Sequence, residues 1–306
     1  MPKKAPKKAP KKRKAAGAPA QNPWASVQIG ECGLQGERPS MEDAHAALTG
    51  FVAAQGKLDD LTATRAKPLQ WFGVFDGHGG EVCAEYTATE LPKRIKAGLK
   101  AGLPAAAAVV TAHHATDCAW LTSSERDDSG TTAISVLLES ATGRVLAANV
   151  GDSRAIIVRG KKAVALSTDQ DAENRREAKR MKAVGGDVDE DGYINDCVQV
   201  SRSIGDYEAK FVEGEDDDGE PQLQHSMAVV STPELRWGQL EADDILVLVC
   251  DGVVEPSDGS AVWIAKAVRK AMDGGSSAQE AAEALAQAAL DMGSEDNVSV
   301  LIVAPA

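Results

Sequence analysis

Cysteine is scarce in this 306-residue sequence, and the few cysteines form no recognisable pattern. Their number is odd, their spacings are wide, and no Cys-x-x-Cys pair occurs. The five are Cys32, Cys83, Cys118, Cys197 and Cys250. These features argue against a disulfide framework and against a zinc site. We expect reduced thiols that mostly serve packing.

The sequence also lacks the apolar runs that a membrane protein needs. No run approaches the roughly 18 consecutive apolar residues of a transmembrane helix. The N-terminus has no apolar segment typical of a secretory signal, and Pro2 stands where myristoylation requires glycine. Apolar residues still make up 43% of the chain, which is typical of a globular protein. We therefore expect a soluble intracellular protein in the nucleus, the cytoplasm or both, with no membrane partner.

Positive charge is concentrated at the N-terminus. Residues 1–20 hold eight of the 33 basic residues and no acid, which leaves 25 basic and 46 acidic residues in the rest of the chain. A body this acidic is a poor binder of nucleic acid, so we expect no specific nucleic-acid partner. The negative charge suits a protein that concentrates metal cations, or it serves solubility alone.

Residues 1–23 are predicted to be a disordered basic tail. The segment repeats Lys-Lys-Ala-Pro, continues into Lys-Lys-Arg-Lys and shows no apolar periodicity. Such a tract serves as a signal read by a nuclear import receptor, as a tether to an acidic partner or as a solubilising tail. No repeat of domain size follows. Residues 24–306 are therefore predicted to form one domain, and we expect it to be a monomer.

Apolar runs bounded by turn residues predict strands, and longer segments between them predict helices. The predicted strands are 70–75, 132–139, 144–150, 154–159, 245–250 and 298–304. The predicted helices are 82–101, 104–120, 173–184, 260–272 and 277–291. Strands and helices come in blocks, which favours an α+β fold with antiparallel sheets covered by helices. We expect an antiparallel meander over 132–159 and an exposed acidic loop over 213–220.

Five chain segments place a carboxylate at or near the end of a predicted strand. These acids are Glu42 with Asp43, Asp76, Asp152, Asp251 and Asp296. If they converge, they repel one another and raise one another's pKa values, unless a divalent cation lies between them. Mg²⁺ and Mn²⁺ both prefer oxygen ligands. Each acid taken alone could equally be a turn former or a cap.

Seven short words in a fixed order carry a family resemblance. They are ERPSMEDAH (37–45), WFGVFDGHGG (71–80), SGTTA (129–133), NVGDSRA (149–155), QVSRSIGD (199–206), LVCDGVVE (248–255) and SEDNVSV (294–300). With them the chain resembles the metal-dependent PPM-type phosphatases, the type 2C family, over roughly residues 27–303. The resemblance implies a four-layer αββα sandwich of two antiparallel sheets flanked by helix pairs. It also implies hydrolysis of phosphoserine and phosphothreonine in phosphorylated protein substrates.

The resemblance further implies a centre with two Mg²⁺ or Mn²⁺ ions. Asp76, Asp251 and Asp296 would bind the two ions, with Asp76 bridging them. Gly77 would contribute its backbone carbonyl oxygen. Two more acids, Glu42 and Asp43, would act mainly through metal-bound water.

Five other positions take roles from the same resemblance. Asp152 would hold a third, weaker cation together with Glu255, which stands where many relatives have aspartate. Arg38 would grip the substrate phosphate, since a guanidinium presents two parallel donors. His78 would be the general acid that protonates the leaving serine oxygen. Arg202 is expected to support the loop that precedes it.

Three functions remain open at this point. The favoured one is a protein phosphatase in which a metal-bound hydroxide attacks phosphorus directly, so that no phosphoenzyme forms and no cysteine nucleophile is needed. The alternative is a pseudophosphatase that acts as a binding module, a class that usually lacks the core acids. The least favoured is a metal-dependent hydrolase of another phosphate compound, such as a nucleotide, because the sequence has neither a GxxxxGK[S/T] loop nor a GxGxxG after a strand.

Overall fold

The computed structural model describes residues 23–54, 67–215, 221–257 and 259–306. The predicted tail up to residue 22 lies outside these residues. Within them the strands are β1 (Val27–Leu34), β2 (Ala44–Ala54), β3 (Lys67–Phe75), β4 (Gly77–His78), β5 (Gly130–Thr131), β6 (Ala133–Glu139), β7 (Arg144–Val150), β8 (Arg154–Arg159), β9 (Lys162–Ala165), β10 (Ile204–Gly205), β11 (Phe211–Glu215), β12 (Pro221–His225), β13 (Glu234–Gln239), β14 (Ile245–Val249) and β15 (Val298–Pro305).

The α-helices of the described residues are α1 (Val82–Lys100), α2 (Ala105–Leu121), α3 (Arg175–Ala183), α4 (Tyr207–Lys210), α5 (Asp251–Val254), α6 (Val262–Asp273) and α7 (Ala278–Asp291). Short 3₁₀ turns occupy Pro23–Ala25 and Glu255–Ser257. None of these helices is both long and apolar enough to cross a membrane.

Two five-stranded antiparallel sheets form the centre of the molecule. The first sheet has the order β1-β15-β14-β8-β9, and the second has the order β13-β7-β6-β3-β2. Helices α6 and α7 contact the first sheet, and α1 contacts the second while α2 packs on α1. The predicted α+β sandwich of four layers is confirmed.

Strand β3 shows why the central strands read as unbroken apolar runs. Phe72 and Val74 belong to the core that the two sheets share, whereas Trp71 and Phe75 pack into the core beneath α1 and α2. Successive side chains of a strand point to opposite faces, so a strand covered on both faces is apolar throughout. Gly73 leaves room on the helix side, since a Cβ there would come within 2.8–2.9 Å of the Trp71 and Phe75 rings.

The six predicted strands and five predicted helices are all present, with boundaries shifted by up to three residues. Helix α7 begins with a capping box at Ser277. The Ser277 side chain accepts a hydrogen bond from the Glu280 amide, and the Glu280 carboxylate accepts one from the Ser277 amide. This capping box satisfies two amides that the helix itself leaves unpaired.

The predicted meander over 132–159 is wrong for its last strand. Strands β6 and β7 pair, but β7 pairs on its other side with β13, and β8 pairs with β14 and β9 in the first sheet. Gly151, with φ of +99°, turns the chain from one sheet into the other. This conformation favours glycine. The connection therefore crosses between layers instead of closing a hairpin.

The predicted acidic loop over 213–220 is also wrong in part. Residues 213–215 belong to β11, which pairs with β12 in register from Phe211 opposite His225. Residues 216–220 lie outside the described part of the chain. The acids of a hairpin strand reach water from one face, so acidic composition alone does not separate a strand from a loop.

A buried ion pair joins the helical layer to the small sheet of β4, β5 and β10. Lys210 is 1% exposed, and its Nζ donates to Asp117 Oδ1 at 2.7 Å and to the Ser203 carbonyl at 3.0 Å. The Gly205 amide donates to the same Asp117 oxygen at 3.0 Å. Asp117 on α2 thus fastens the segment that begins α4.

Removal of the Lys210 charge should destabilise the fold. Lys210→Met leaves the Asp117 carboxylate buried without its counter-ion, and we expect a loss of about 3 kcal/mol in the free energy of unfolding. The matched control is Lys93→Met, because the Lys93 side chain is 63% exposed and pairs with Glu90 at the surface. That control should lose less than about 1 kcal/mol. Urea unfolding measures both, and equal losses would contradict a structural role for the buried pair.

Candidate active-site cleft

A cleft of about 520 Å³ opens where strand ends from both sheets meet. It receives side chains from the β3–β4, β7–β8 and β14–α5 connections and from the segment before β15. Seven of the ten sequence-predicted site residues line it: Arg38, Asp76, Gly77, His78, Asp152, Asp251 and Asp296. Glu42, Asp43 and Glu255 do not line the cleft and are described below.

The centre of the cleft holds Asp76 and Asp251. Ligand atoms of these two acids and of Cys250 all lie within 4.8 Å of one another. Asp251 is the first residue of α5, and only Cys250 separates it from β14. Gly252 follows it, and a Cβ there would stand 2.2 Å from the Asn297 carbonyl oxygen. The glycine therefore permits the Asp251 and Asp296 segments to approach each other.

The crowded carboxylates oppose one another's ionisation. The pKa of Asp76 is raised well above its usual range, mainly by burial and then by the charges of Asp251 and Asp43. Burial also raises the pKa of Asp152 strongly, with Asp251 as the next cause. The pKa of Asp251 is raised by burial and by Asp296. Acids with raised pKa values around one cleft are typical of functional sites.

Asp43 lies behind the cleft. Both of its carboxylate oxygens are buried, and neither accepts a hydrogen bond of normal geometry from the described residues. Burial, together with the charges of Asp251 and Asp296, raises its pKa to about 6. A buried carboxylate without partners is costly. It is the kind of group that a nearby cation or a cation-bound water stabilises.

Cys250 is part of the central cluster, but its sulfur already has partners. Its Sγ donates to the Asn297 carbonyl at 3.3 Å and accepts from the Ser299 amide at 3.1 Å. Burial raises the pKa of the thiol well above its usual range, so the group is neutral. The charged donors of the cluster are therefore oxygens alone. An oxygen donor set fits Mg²⁺ or Mn²⁺ better than zinc.

Glu42 joins the chain segments around the cleft through hydrogen bonds. Its Oε1 accepts from the Ser40 hydroxyl at 2.7 Å, and its Oε2 accepts from the Gly80 amide at 2.9 Å. Its backbone carbonyl crowds Gly77, where a Cβ would lie 2.2 Å from that oxygen. Only glycine at position 77 lets the β4 segment pack this closely against Glu42.

Asn297 organises the site, and sequence reasoning did not assign it a role. Its Oδ1 accepts from the Glu42 amide at 2.7 Å, and its Nδ2 donates to the carbonyls of Gln35 and Ser40 at 2.8 and 2.9 Å. It holds the Arg38–Glu42 segment beside Asp296. The available signal was its place directly after Asp296 in the word SEDNVSV.

Arg38 and Glu255 are both exposed, and only Arg38 lines the cleft. Arg38 is 58% exposed in its side chain, and its Nη2 donates to Asp296 Oδ2 at 2.6 Å. Glu255 is exposed, and its pKa is raised chiefly by the charge of Asp251 and then by burial. The Glu255 carboxylate therefore interacts electrostatically with Asp251, although Glu255 does not line the cleft.

His78 meets an aspartate that sequence reasoning left unassigned. His78 Nε2 lies 2.7 Å from Asp206 Oδ1. Burial by itself lowers the pKa of His78, but the Asp206 charge and hydrogen bond outweigh it, and the pKa is raised. Asp206 ends the word QVSRSIGD, and that position was the only signal for it.

The loop over residues 185–203, here called the flap, forms one wall. Tyr193, Asp196 and Gln199 from the flap line the cleft. At the base of the flap Arg202 donates to both oxygens of Glu177 on α3, at 2.6 and 3.1 Å. Arg202 thus lies where it supports the loop that precedes it.

Comparison with known proteins gives a consistent result. The sequence model of the family described as Protein phosphatase 2C matches residues 27–298. Probable protein phosphatase 2C 22 of Arabidopsis thaliana is 32% identical over 275 residues, covering 88% of this chain and 66% of that protein. Protein phosphatase 2C homolog 2 of Aspergillus flavus is 34% identical over 239 residues, covering 76% of this chain and 52% of that protein.

The chain thus spans about two thirds of the first relative and about half of the second. Among solved structures, the crystal structure of a phosphatase from a pathogenic strain of Toxoplasma gondii superimposes with a TM-score of 0.70 at 23% identity. The match covers 91% of this chain and 94% of that one. The shared fold and the match of the family model over most of the chain lead to one conclusion: this chain belongs to the protein phosphatase 2C family.

Proposed function

We propose that the protein is a metal-dependent protein serine/threonine phosphatase that removes phosphate from phosphoserine and phosphothreonine in proteins. The observation that carries this proposal is the group of acids with raised pKa values around one open cleft. Membership of the protein phosphatase 2C family supports the same reaction class. A pseudophosphatase would have no use for acids that repel one another in this way.

Asp76, Asp251 and Asp296 would hold two Mg²⁺ or Mn²⁺ ions, with Asp76 and the Gly77 carbonyl at the centre. Glu42 and Asp43 would interact with the cations mainly through metal-bound water, from outside the lining of the cleft. When bound, the two cations acidify a water molecule for attack on phosphorus and neutralise charge on the phosphoryl oxygens. Asp152 would take part in a third, weaker cation site, with the exposed Glu255 at its margin.

The chain's own side chains orient the substrate and move the proton. Arg38 donates one N–H to Asp296 and has further donors for phosphate oxygens. His78 supplies a proton to the serine or threonine oxygen as it leaves. The Cys250 thiol is neutral and engaged, so the reaction has no covalent phosphoenzyme on this cysteine.

Asp251→Ala should abolish turnover of a phosphoserine peptide. The loss removes a charge that holds the cations, and several kcal/mol of stabilisation corresponds to a fall in kcat of about 10³. The control Asp273→Ala removes an acid of α6 whose side chain is 66% exposed, and it should leave kcat unchanged. Phosphate release is measured with added Mn²⁺ and with excess chelator, on the peptide and on a nucleotide. Full activity in chelator would rule out the proposed mechanism, and preference for the nucleotide would rule out the proposed substrate.

A wild type that neither turns over the peptide nor binds Mn²⁺ in calorimetry would instead support a binding module. Wild-type turnover that requires Mn²⁺ together with an inactive Asp251→Ala is the result we expect.

The chelated protein should become more stable when Asp43 is neutralised. Its pKa is about 6 in the fold and 3.8 ordinarily, so its contribution to stability is greatest at low pH and is lost as pH rises from about 4 to 6. At pH 7.5 in chelator, Asp43→Asn should therefore gain up to roughly 3 kcal/mol in the free energy of unfolding. Near pH 4 the gain should largely disappear. Urea unfolding at both pH values measures it, and an unchanged gain at low pH would exclude charge as the cause.

A further inference from the structure

Asp206 contacts the proposed general acid and is itself almost completely enclosed. It is 4% exposed, and its Oδ1 lies 2.7 Å from His78 Nε2. Among the described residues, this is the hydrogen bond that the His78 ring makes. With Nε2 bound to Asp206, Nδ1 is the ring atom left to face the cleft that His78 lines.

The backbone at Asp206 is held in an unfavourable conformation. Asp206 has φ of 55° and ψ of 60°, the left-handed region that an aspartate occupies at a cost. On the neighbouring strand β5, a Cβ at Gly130 would lie 2.0 Å from Asp206 Oδ1. Glycine there makes room for the carboxylate. Such strain is typical of functional positions, where the surrounding structure fixes the conformation.

Charges of alternating sign anchor Asp206 from behind. Lys210 follows one turn later on α4, and its amide donates to the Asp206 carbonyl at 3.1 Å. The Lys210 charge lies close enough to favour the Asp206 carboxylate form, and Lys210 is in turn held by Asp117. The row His78, Asp206, Lys210 and Asp117 thus runs from the cleft into the helical layer. If these charges served stability alone, the row would not need to end at His78, which lines the cleft.

We propose that Asp206 is the positioning residue for His78, fixing the ring so that Nδ1 points at the leaving oxygen and balancing the imidazolium charge. The inference rests on the proposed phosphatase function. In the step it serves, a water oxygen forms a bond to phosphorus and gives a proton to solvent. The phosphorus–oxygen bond to serine breaks, its electron pair stays on the serine oxygen, and that oxygen takes the proton from His78 Nδ1. His78 regains a proton from solvent.

Two substrates that differ in their leaving group test the inference. A serine oxygen needs a proton to depart, whereas 4-nitrophenolate departs as a stable anion. Asp206→Asn is the informative variant, because asparagine tolerates the left-handed conformation but lacks the charge. We expect kcat for a phosphoserine peptide to fall by about 10², and kcat for 4-nitrophenyl phosphate to fall at least about tenfold less. His78→Gln should give the same pattern.

A double variant and a matched control make the test specific. His78→Gln/Asp206→Asn should be no worse on the peptide than His78→Gln, because the two residues act as one unit. Asp244→Asn is the control: Asp244 is also a buried, ion-paired aspartate, 2% exposed and 2.6 Å from Arg159 Nη2, but it does not line the cleft, and its ratio of peptide to aryl kcat should stay near that of the wild type. Both substrates are measured on one sample, so partial unfolding cancels in the ratio.

Equal losses on the two substrates in Asp206→Asn, or additive losses in the double variant, would overturn the inference while leaving the phosphatase function standing. A wild type inactive on both substrates would overturn the proposed function and this inference with it. The two failures are therefore distinguishable.

Discussion

Repulsion among buried carboxylates is the constraint around which this molecule is built. Asp43, Asp76 and Asp251 are brought together although burial and mutual charge raise their pKa values. The ionised form of each carboxylate would have a lower free energy in water than it has here. The packing of two sheets, with nearly every central strand covered on both faces, supplies the free energy that holds them in place. A cation bound among these acids, as proposed above, would offset their repulsion.

Glycine makes the convergence geometrically feasible. Gly77 lies against the Glu42 carbonyl, Gly252 against the Asn297 carbonyl, and Gly130 against the Asp206 carboxylate, and a Cβ at any of them would approach to 2.0–2.2 Å. All three contacts are between segments far apart in sequence. The dipeptides Gly77-His78, Asp251-Gly252 and Ser129-Gly130 therefore mark close contacts between distant segments and not only turns.

Much of the architecture could be predicted because the strands are long apolar runs and the helices carry caps. The run around Phe72 and the cap at Ser277 illustrate both signals. The change of sheet after Val150 could not be predicted from the local sequence. Strand β13, which is distant in sequence, pairs with β7 on the side that β8 would need in a meander. Composition likewise gave no indication that residues 213–215 would pair as a strand.

The site was predicted unevenly for a similar reason. Acids at strand ends, such as Asp76 and Asp251, were visible because the adjacent apolar runs mark where strands stop. Asp206 and Asn297 were not, because what they contribute are hydrogen bonds to distant segments: Asp206 to His78, and Asn297 to the Glu42 amide and to the carbonyls of Gln35 and Ser40. No local pattern encodes a partner more than 100 residues away. Such residues emerge only when the fold brings the segments together.

The flap differs from the rest of the cleft in how it is held. Ile194, Val198 and Val200 of the flap belong to a small core of their own with Met181 of α3, separate from the two large cores of the sandwich. Its polar anchor is Glu177, which accepts hydrogen bonds from Arg202, Arg180 and Ser201. Changes in flap side chains can therefore alter what the cleft accepts without disturbing the acids, whose positions depend on the sheets. Under the proposed function, this separation would allow flap side chains to change substrate choice while the catalytic acids keep their positions.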